Sequence, residues 1–429
     1  MSPKKHINII TLGCSKNLVD SEKIMGQLNN GQFTLSHDAD GPADIVILNT
    51  CGFINDAKEE SIDSILHYAK AKKEGLVEEV IVTGCLSQRY KEVLAEEIPE
   101  ADAWFGVEEP SDLFGYLNQK YQPENEARFL TTPSHFAYLK IAEGCDRTCS
   151  FCAIPLIRGA YRSRTIQSLV VEAKHLAAKG VKELLLIAQD LSYYGYDLEK
   201  RSMLAELVDE LSLIDGIQWI RLHYAYPKSF PDALIKLMAE NPKVCRYLDI
   251  PLQHINDTLL KSMRRNADKA STLVLLDKIR KQVPDVALRT TFLVGYPGET
   301  RQQFEELFNF VRETRFERLG VFTYSPEEGT KAYELDEDID DKTKQERADE
   351  LMELQQSISH ELNQQKVGKT MSVLIDREEE DHFVGRTEYD SPEVDNEVLV
   401  EKNGAIRVGE FYHVEIVDAT DFELYGRVQ

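Results

Sequence analysis

Short runs rich in Ile and Val alternate with longer stretches of mixed polarity over most of the chain, and that alternation sets the expected architecture. Residues 6–12, 44–48 and 79–82 are apolar runs bounded by Gly, Asn or Thr, with helix-like stretches at 21–29 and 56–73 around them. Parallel strands need a crossover long enough for a helix, so this rhythm predicts a parallel α/β sheet over residues 1–120. Residues 118–134 carry Pro, Asn, Glu and Thr with little periodicity and read as a linker.

The theme then repeats at greater length. Strands are expected at 136–141, 183–188, 219–223, 247–250, 287–294 and 318–323, with a closing helix at 342–365. Repeated strand–helix units predict a partial (β/α) barrel over residues 137–365, with function at the carboxyl ends of its strands. Residues 366–429 change character: runs at 370–375, 398–400 and 412–417 are separated by Gly, Asn, Asp and Pro, the pattern of a small antiparallel β-barrel. No internal repeat or low-complexity tract is present, and no stretch approaches 18 consecutive apolar residues. With no signal-peptide pattern at the start, a cytoplasmic protein without membrane association is expected.

Charge narrows the partners. The chain has 50 Lys and Arg against 74 Asp and Glu, and the last 64 residues alone carry 7 against 16. Such a surface repels polyanions, so broad nucleic-acid binding is disfavoured and a basic protein partner is favoured. The plain alternative is that the acidity only maintains solubility.

The seven cysteines change the picture most. A disulfide framework is not expected in a long chain of this kind. Cys145, Cys149 and Cys152 form a CxxxCxxC loop just after the first expected barrel strand. Three soft thiolates on one loop suit a 4Fe–4S cluster. With no fourth cysteine nearby, one iron is left open to chelate the amino and carboxylate groups of S-adenosylmethionine (SAM). A structural zinc knuckle is the competing reading, but it calls for a fourth ligand.

Cys14, Cys51 and Cys85 each lie within about three residues of an expected strand end. In a parallel sheet those ends share one edge, where ligands gather, so cysteines far apart in sequence are expected to meet there. The expectation is a second 4Fe–4S cluster, with a chemical use beside a radical generator: holding or donating sulfur.

These residues resemble the methylthiotransferase family of radical SAM enzymes. The resemblance runs through Thr11-Leu12-Gly13-Cys14-Ser15-Lys16-Asn17, Asn49-Thr50-Cys51-Gly52, Thr83-Gly84-Cys85, Cys152-Ala153-Ile154-Pro155, Arg162-Ser163-Arg164, Pro251-Leu252-Gln253-His254 and Gly295-Tyr296-Pro297-Gly298-Glu299. It spans essentially the whole chain and implies an N-terminal cluster domain, a radical SAM barrel and a C-terminal TRAM domain. The run from Cys14 to Glu22 and the Arg162–Arg164 triplet resemble the members that modify a ribosomal protein. That branch implies transfer of a methylthio group to the β-carbon of an aspartate in the twelfth small-subunit ribosomal protein, as free protein or within the subunit. It leaves the reductant and sulfur donor unspecified. The alternatives are a tRNA adenosine methylthiotransferase and a non-catalytic iron–sulfur factor associated with the ribosome.

Further residues carry two readings each. Gln189 and Asp190, at the end of the second barrel strand, either bind SAM or only terminate the strand. Phe151 either presents its backbone to the adenine or simply packs. Gly295 and Pro297 mark either close cofactor approach or an ordinary turn. His254 either lines the substrate pocket or is a satisfied buried histidine. Arg158, Arg162 and Arg164 either bind carboxylates or tie down the loop, and Cys245 is expected to be a buried small hydrophobe. No acid–base catalytic residue is assigned, because the aspartate C–H bond is too unreactive for a side-chain base.

Overall fold

The computed structural model describes all residues except 1–3, 124, 229, 403 and 405. The first sheet contains β1 (Lys5–Thr11), β2 (Phe33–His37), β3 (Ala43–Thr50), β4 (Val77–Gly84) and β5 (Ala103–Trp104). Their order is β2-β1-β3-β4-β5 and each pairing is parallel. Period-two alternation divides the strands between two cores: Ile7, Ile9, Ile45 and Ile47 go to one face, Val46, Leu48, Val80 and Val82 to the other. Helices α1 (Ser15–Leu28), α2 (Asn55–Lys73) and α3 (Cys85–Glu97) follow β1, β3 and β4.

The second sheet is built on β6 (Phe136–Lys140). A two-residue pair, β7 (Ala142–Glu143) with β8 (Arg162–Ser163), frames the loop that follows. Next come β9 (Glu183–Ile187), β10 (Trp219–Leu222), β11 (Val244–Asp249), β12 (Ala287–Val294) and β13 (Arg318–Thr323). The order β6-β9-β10-β11-β12-β13 is parallel throughout and does not close. One face, with Leu184, Leu186, Ile220, Leu222, Leu248 and Phe292, is covered by the sheet's own helices. The inner face is filled from outside the sheet. Val19 and Leu18 of α1 pack on Phe136, Tyr138, Leu185 and Ile187, while Leu374, Tyr389 and Phe411 pack on Trp219, Cys245 and Tyr247.

The C-terminal strands β14 (Thr370–Glu378), β15 (His382–Thr387), β16 (Glu397–Glu401), β17 (Phe411–Ala419) and β18 (Glu423–Val428) form a closed barrel. Its contacts are antiparallel except for the parallel β16–β18 pair. Closure removes the exposed edges a small sheet would otherwise carry. The barrel docks on the amino-terminal end of the second sheet through buried charge. Arg221 donates to Glu183 Oε1 (2.7 Å) and to the Glu388 carbonyl (2.7 Å), and Arg386 bridges Glu183 Oε2 (2.8 Å) and Asp376 Oδ2 (2.7 Å). Arg318 pairs with Asp390. Burial pushes the Asp390 carboxyl up, but Arg318 and Lys366 beside it outweigh that, and the net shift is downward.

The stretch expected to be a linker has little regular structure but is pinned. Arg128 is buried and donates to the Tyr138 carbonyl (2.6 Å), to Glu172 Oε1 (2.9 Å) and to Glu22 of α1, so one guanidinium joins the two parallel sheets. The closing helix spans Asp341–Gln364, starting at an Asp340 side-chain cap that accepts from the Thr343 amide (2.8 Å). Strands β2, β15 and β18 lie outside the strands expected from sequence. β2 is a half-buried edge strand, and β15 carries Gly385 and Arg386 where an apolar run would have signalled it. Among the described residues, no helix is long and apolar enough to cross a membrane.

Candidate iron–sulfur and substrate site

The carboxyl ends of three adjacent strands carry Cys14, Cys51 and Cys85. Cys14 is the N-cap of α1, Cys51 follows β3, and Cys85 opens α3 directly after β4. Two glycines let the turns touch. A Cβ on Gly13 would lie 2.6 Å from Cys51 Cβ and 2.8 Å from its Sγ, and one on Gly52 would lie 2.7 Å from Leu86 Cα. Gly13 is also left-handed, at φ +91°. The Cys14 turn therefore meets the Cys51 turn, and the Cys51 turn meets the start of α3. The positive ends of α1 and α3 both open on this spot and favour an anionic group there.

The loop carrying Cys145, Cys149 and Cys152 leaves the carboxyl end of β6. The Cys145 amide donates to the Gly159 carbonyl (3.1 Å), and the Ser150 amide donates to the Met263 carbonyl (3.0 Å). The Cys145 Sγ accepts from the Arg147 amide (3.4 Å), and Cys149 Sγ faces an Arg265 N–H at 3.6 Å. Burial pushes the Cys145 thiol up to about 11 and those of Cys51 and Cys152 up to about 12; Cys85 is raised for the same reason, against the pull of Arg158. Without a cation these thiols stay protonated, so occupation by a metal centre must displace protons. Among the described residues, no three His, Cys, Asp or Glu side chains are placed to hold a single metal ion.

The two cysteine groups face one junction. Cys85 packs against Ala153 and Ile157 of the short helix Ile154–Arg158 that follows Cys152. Arg158, buried at the end of that helix, points an N–H at Cys85 Sγ (3.3 Å) and donates to Asn17 Oδ1 (2.5 Å), Asp20 Oδ2 (2.7 Å) and Glu143 Oε2 (3.1 Å). Lys140 completes a box of two cations and two carboxylates with Asp20 and Glu143. The Glu143 carboxyl is pushed up by burial, but Lys140 and Arg158 outweigh this and hold it well below its ordinary value. Arg158 thus ties the loop down, whereas Arg162 is exposed and pairs with Glu108 (2.8 Å), and Arg164 pairs with Glu126 (2.7 Å) and with Glu172.

The remaining candidates separate. Gln189 donates to Glu143 Oε1 (2.9 Å), while its own Oε1 is buried without a hydrogen bond, an acceptor free for a ligand ammonium. Asp190 is occupied, accepting from Arg147 Nε (2.8 Å) and Ser192 Oγ (2.5 Å). Phe151 packs partly buried against Leu259, Met263, Leu293 and Tyr296. At Gly295 a Cβ would meet Lys344 Cγ at 2.3 Å, so its missing side chain makes room for the closing helix. His254 is buried between Glu299 (3.2 Å) and the Asn256 amide (3.0 Å), the satisfied-histidine reading. Cys245 is buried among Trp219, Tyr247 and Leu374. Sequence reasoning missed the charge box, whose lysine sits inside an apolar strand, and the left-handed Tyr224 (φ +63°) and Gln253 (φ +73°) beyond the ends of β10 and β11.

Comparison with known proteins finds three family matches along the chain. Residues 6–106 match an uncharacterized protein family, UPF0004, residues 139–311 the radical SAM superfamily, and residues 367–428 a TRAM domain. The chain is 56% identical over 425 residues to the ribosomal protein uS12 methylthiotransferase RimO of Christiangramia forsetii, covering 99% of this chain and 94% of the relative. It is 52% identical over 429 residues to the protein of that name from Bacteroides thetaiotaomicron, covering 99% and 98%. Among solved structures, the radical SAM methyltransferase TsrM from Kitasatospora setae, with cobalamin and a 4Fe–4S cluster bound, superimposes with a TM-score of 0.54. It is 14% identical, over 76% of this chain and 77% of that one, and supports the fold alone.

Proposed function

The chain belongs to the family of ribosomal protein uS12 methylthiotransferases, and from that premise we propose that it transfers a methylthio group to the β-carbon of an aspartate of uS12, with a cluster at each cysteine group. Membership of the radical SAM superfamily implies a 4Fe–4S cluster and SAM. In this reading Cys145, Cys149 and Cys152 hold that cluster, and Cys14, Cys51 and Cys85 hold a second. The units are residues 1–120, 137–365 and 366–429. The observation that carries the reading is Arg158: six residues after Cys152, it reaches 3.3 Å from Cys85 Sγ, so both groups serve one reaction space.

The cluster and SAM, when bound, supply one-electron cleavage of the sulfonium and hence a radical able to take hydrogen from an unactivated carbon. The chain's own residues bind and shield. Gln189 Oε1 would offer the SAM ammonium a buried acceptor, Asp190 fixes Arg147 against the Tyr226 ring (4.1 Å), and Phe151 packs the cysteine loop onto Leu259, Met263, Leu293 and Tyr296. The Asp20–Lys140–Glu143–Arg158 box is itself fully paired and ties the cysteine loop to α1. Gly295 leaves room for Lys344 of the closing helix.

The acidic C-terminal barrel supports a basic protein as substrate. Its run Glu378-Glu379-Glu380-Asp381 lies at the exposed β14–β15 turn, a poor surface for gripping tRNA phosphates. Action on uS12 places the enzyme in the cytoplasm. The test is anaerobic incubation of the cluster-loaded protein with SAM, a low-potential reductant, a sulfur source and purified uS12, followed by intact-mass and fragment spectra. Methylthiolation of one aspartate is expected; unchanged uS12 alongside modified tRNA nucleosides would reverse the assignment of substrate.

A further inference from the structure

Of the cations around the junction, Arg147, Arg158, Arg164 and Lys140 each have a carboxylate partner, and Arg265, beside Cys149, is tied to the Pro251 carbonyl. Lys16, two residues after Cys14 in the first turn of α1, has no carboxylate within 4.0 Å among the described residues. Its Nζ lies instead 3.6 Å from the centre of the Tyr224 ring. A half-buried ammonium on an aromatic face, with no carboxylate in salt-bridge reach, is poised for an incoming anion.

Tyr224 is built into that position. Its left-handed backbone is costly for an aromatic residue, and it is held by the Tyr224 amide donating to Asp249 Oδ2 (3.3 Å) and by the Leu191 amide donating to the Tyr224 carbonyl (3.1 Å). Asp249 acts on Lys16 only from beyond salt-bridge distance. It is buried, it faces Arg289 at 3.6 Å, and Arg289 also pairs with Asp395 (3.3 Å). The inner face of the second sheet is filled by α1 on the β6–β9 side and by the C-terminal barrel at its amino end, but it stays open along β13. There Leu319 and Val321 pack on the outer core, while Phe322, pointing the other way, is 54% exposed.

We propose that Lys16, seated on Tyr224, is the subsite that binds the side-chain carboxylate of the target aspartate. This rests on the function proposed above and adds to it the group that selects the residue modified. The carboxyl carbon is bonded directly to the β-carbon, so holding the carboxylate fixes the reacting carbon to within one bond while leaving its hydrogens untouched. A single ammonium, unlike a guanidinium fork, grips a carboxylate without dictating its plane.

The test compares full-length, cluster-loaded wild type with Lys16→Met, which keeps length and removes charge, and Lys16→Arg, which keeps charge. The probes are uS12 and uS12 with the target aspartate replaced by asparagine, and their binding is measured by fluorescence anisotropy without reductant. Wild type is expected to bind the aspartate form at least about tenfold more tightly, or about 1.4 kcal/mol. Lys16→Met loses that preference and Lys16→Arg keeps most of it. Under turnover, Lys16→Met releases 5′-deoxyadenosine with little methylthiolated product. The proposal is overturned if wild type binds both forms equally, or if Lys16→Met keeps the preference. Should Lys16→Met not fold, loss of the preference in Lys16→Arg overturns it as well. Failure of wild type to modify uS12 at all strikes instead at the proposed function.

Discussion

The two cysteine groups of this chain reach the same junction by opposite routes. Cys145, Cys149 and Cys152 lie within eight consecutive residues, and one loop after β6 presents all three. Cys14, Cys51 and Cys85 are scattered over 72 residues and meet only because β1, β3 and β4 are neighbours in register. A contiguous site depends on a loop, whereas a dispersed site depends on a sheet and on whatever holds that sheet in place. The dispersed site is therefore the more easily lost.

The largest effect comes from removing each group outright. Alanine at Cys145, Cys149 and Cys152 is expected to abolish 5′-deoxyadenosine release and product together. Alanine at Cys14, Cys51 and Cys85 is expected to leave deoxyadenosine release in place and abolish methylthiolation, with bound iron falling by the share of one cluster. Iron and sulfide counts with chromatography of the nucleoside check both, and loss of deoxyadenosine release from the second variant would erase the functional distinction.

Next in size is the tie between the parallel sheets. Arg128→Met leaves Glu22 and Glu172 buried without their shared cation, which costs about 3–5 kcal/mol for a broken buried ion pair. Urea unfolding measures the loss. If dispersed sites are the fragile ones, iron at the Cys14 group leaves at lower urea than iron at the Cys145 group. Smaller again are Gly13→Ala and Gly52→Ala, at about 1–3 kcal/mol each, the usual cost of overpacking. Both thicken contacts between turns of the dispersed group and touch nothing in the other loop. An unchanged visible spectrum and iron content in both variants would show that the turns do not need that close approach.

The same contrast separates what the sequence reveals from what it hides. β12 and β13 run where their apolar stretches predict, and the CxxxCxxC loop needs only local spacing to be read. The dispersed group was legible one step further on, because each cysteine follows a strand and parallel strands share an edge. Long-range pairing left no such trace. Arg128 lies in a stretch without periodicity, yet it is buried between two sheets. Lys140 and Glu183 sit within apolar strands as buried charges, Lys140 satisfied by distant Asp20 as well as nearby Glu143 and Glu183 only by distant Arg221 and Arg386. Lys16 and Tyr224 are 208 positions apart, and neither signals the other until the fold brings them together. Gly295, read from sequence as either a cofactor contact or an ordinary turn, has the space of its missing side chain taken by Lys344, 49 positions on.

The smallest expected effect is the most exacting for this contrast. Arg158 and Arg162, the latter opening β8, lie four residues apart after the Cys145 loop, but only Arg158 spans the two cysteine groups. Arg162 pairs with Glu108, with side chains 59% and 45% exposed, a geometry worth about 0–1 kcal/mol. Arg162→Ala should therefore shift the urea midpoint barely at all and leave both iron complements intact, and raising the salt concentration should remove what shift there is. Should Arg162→Ala reduce methylthiolation with stability and iron unchanged, the exposed guanidinium is acting on the substrate. The junction would then extend outward along the cavity of about 400 Å³ that Arg162 shares with Glu108, Glu143 and Arg158.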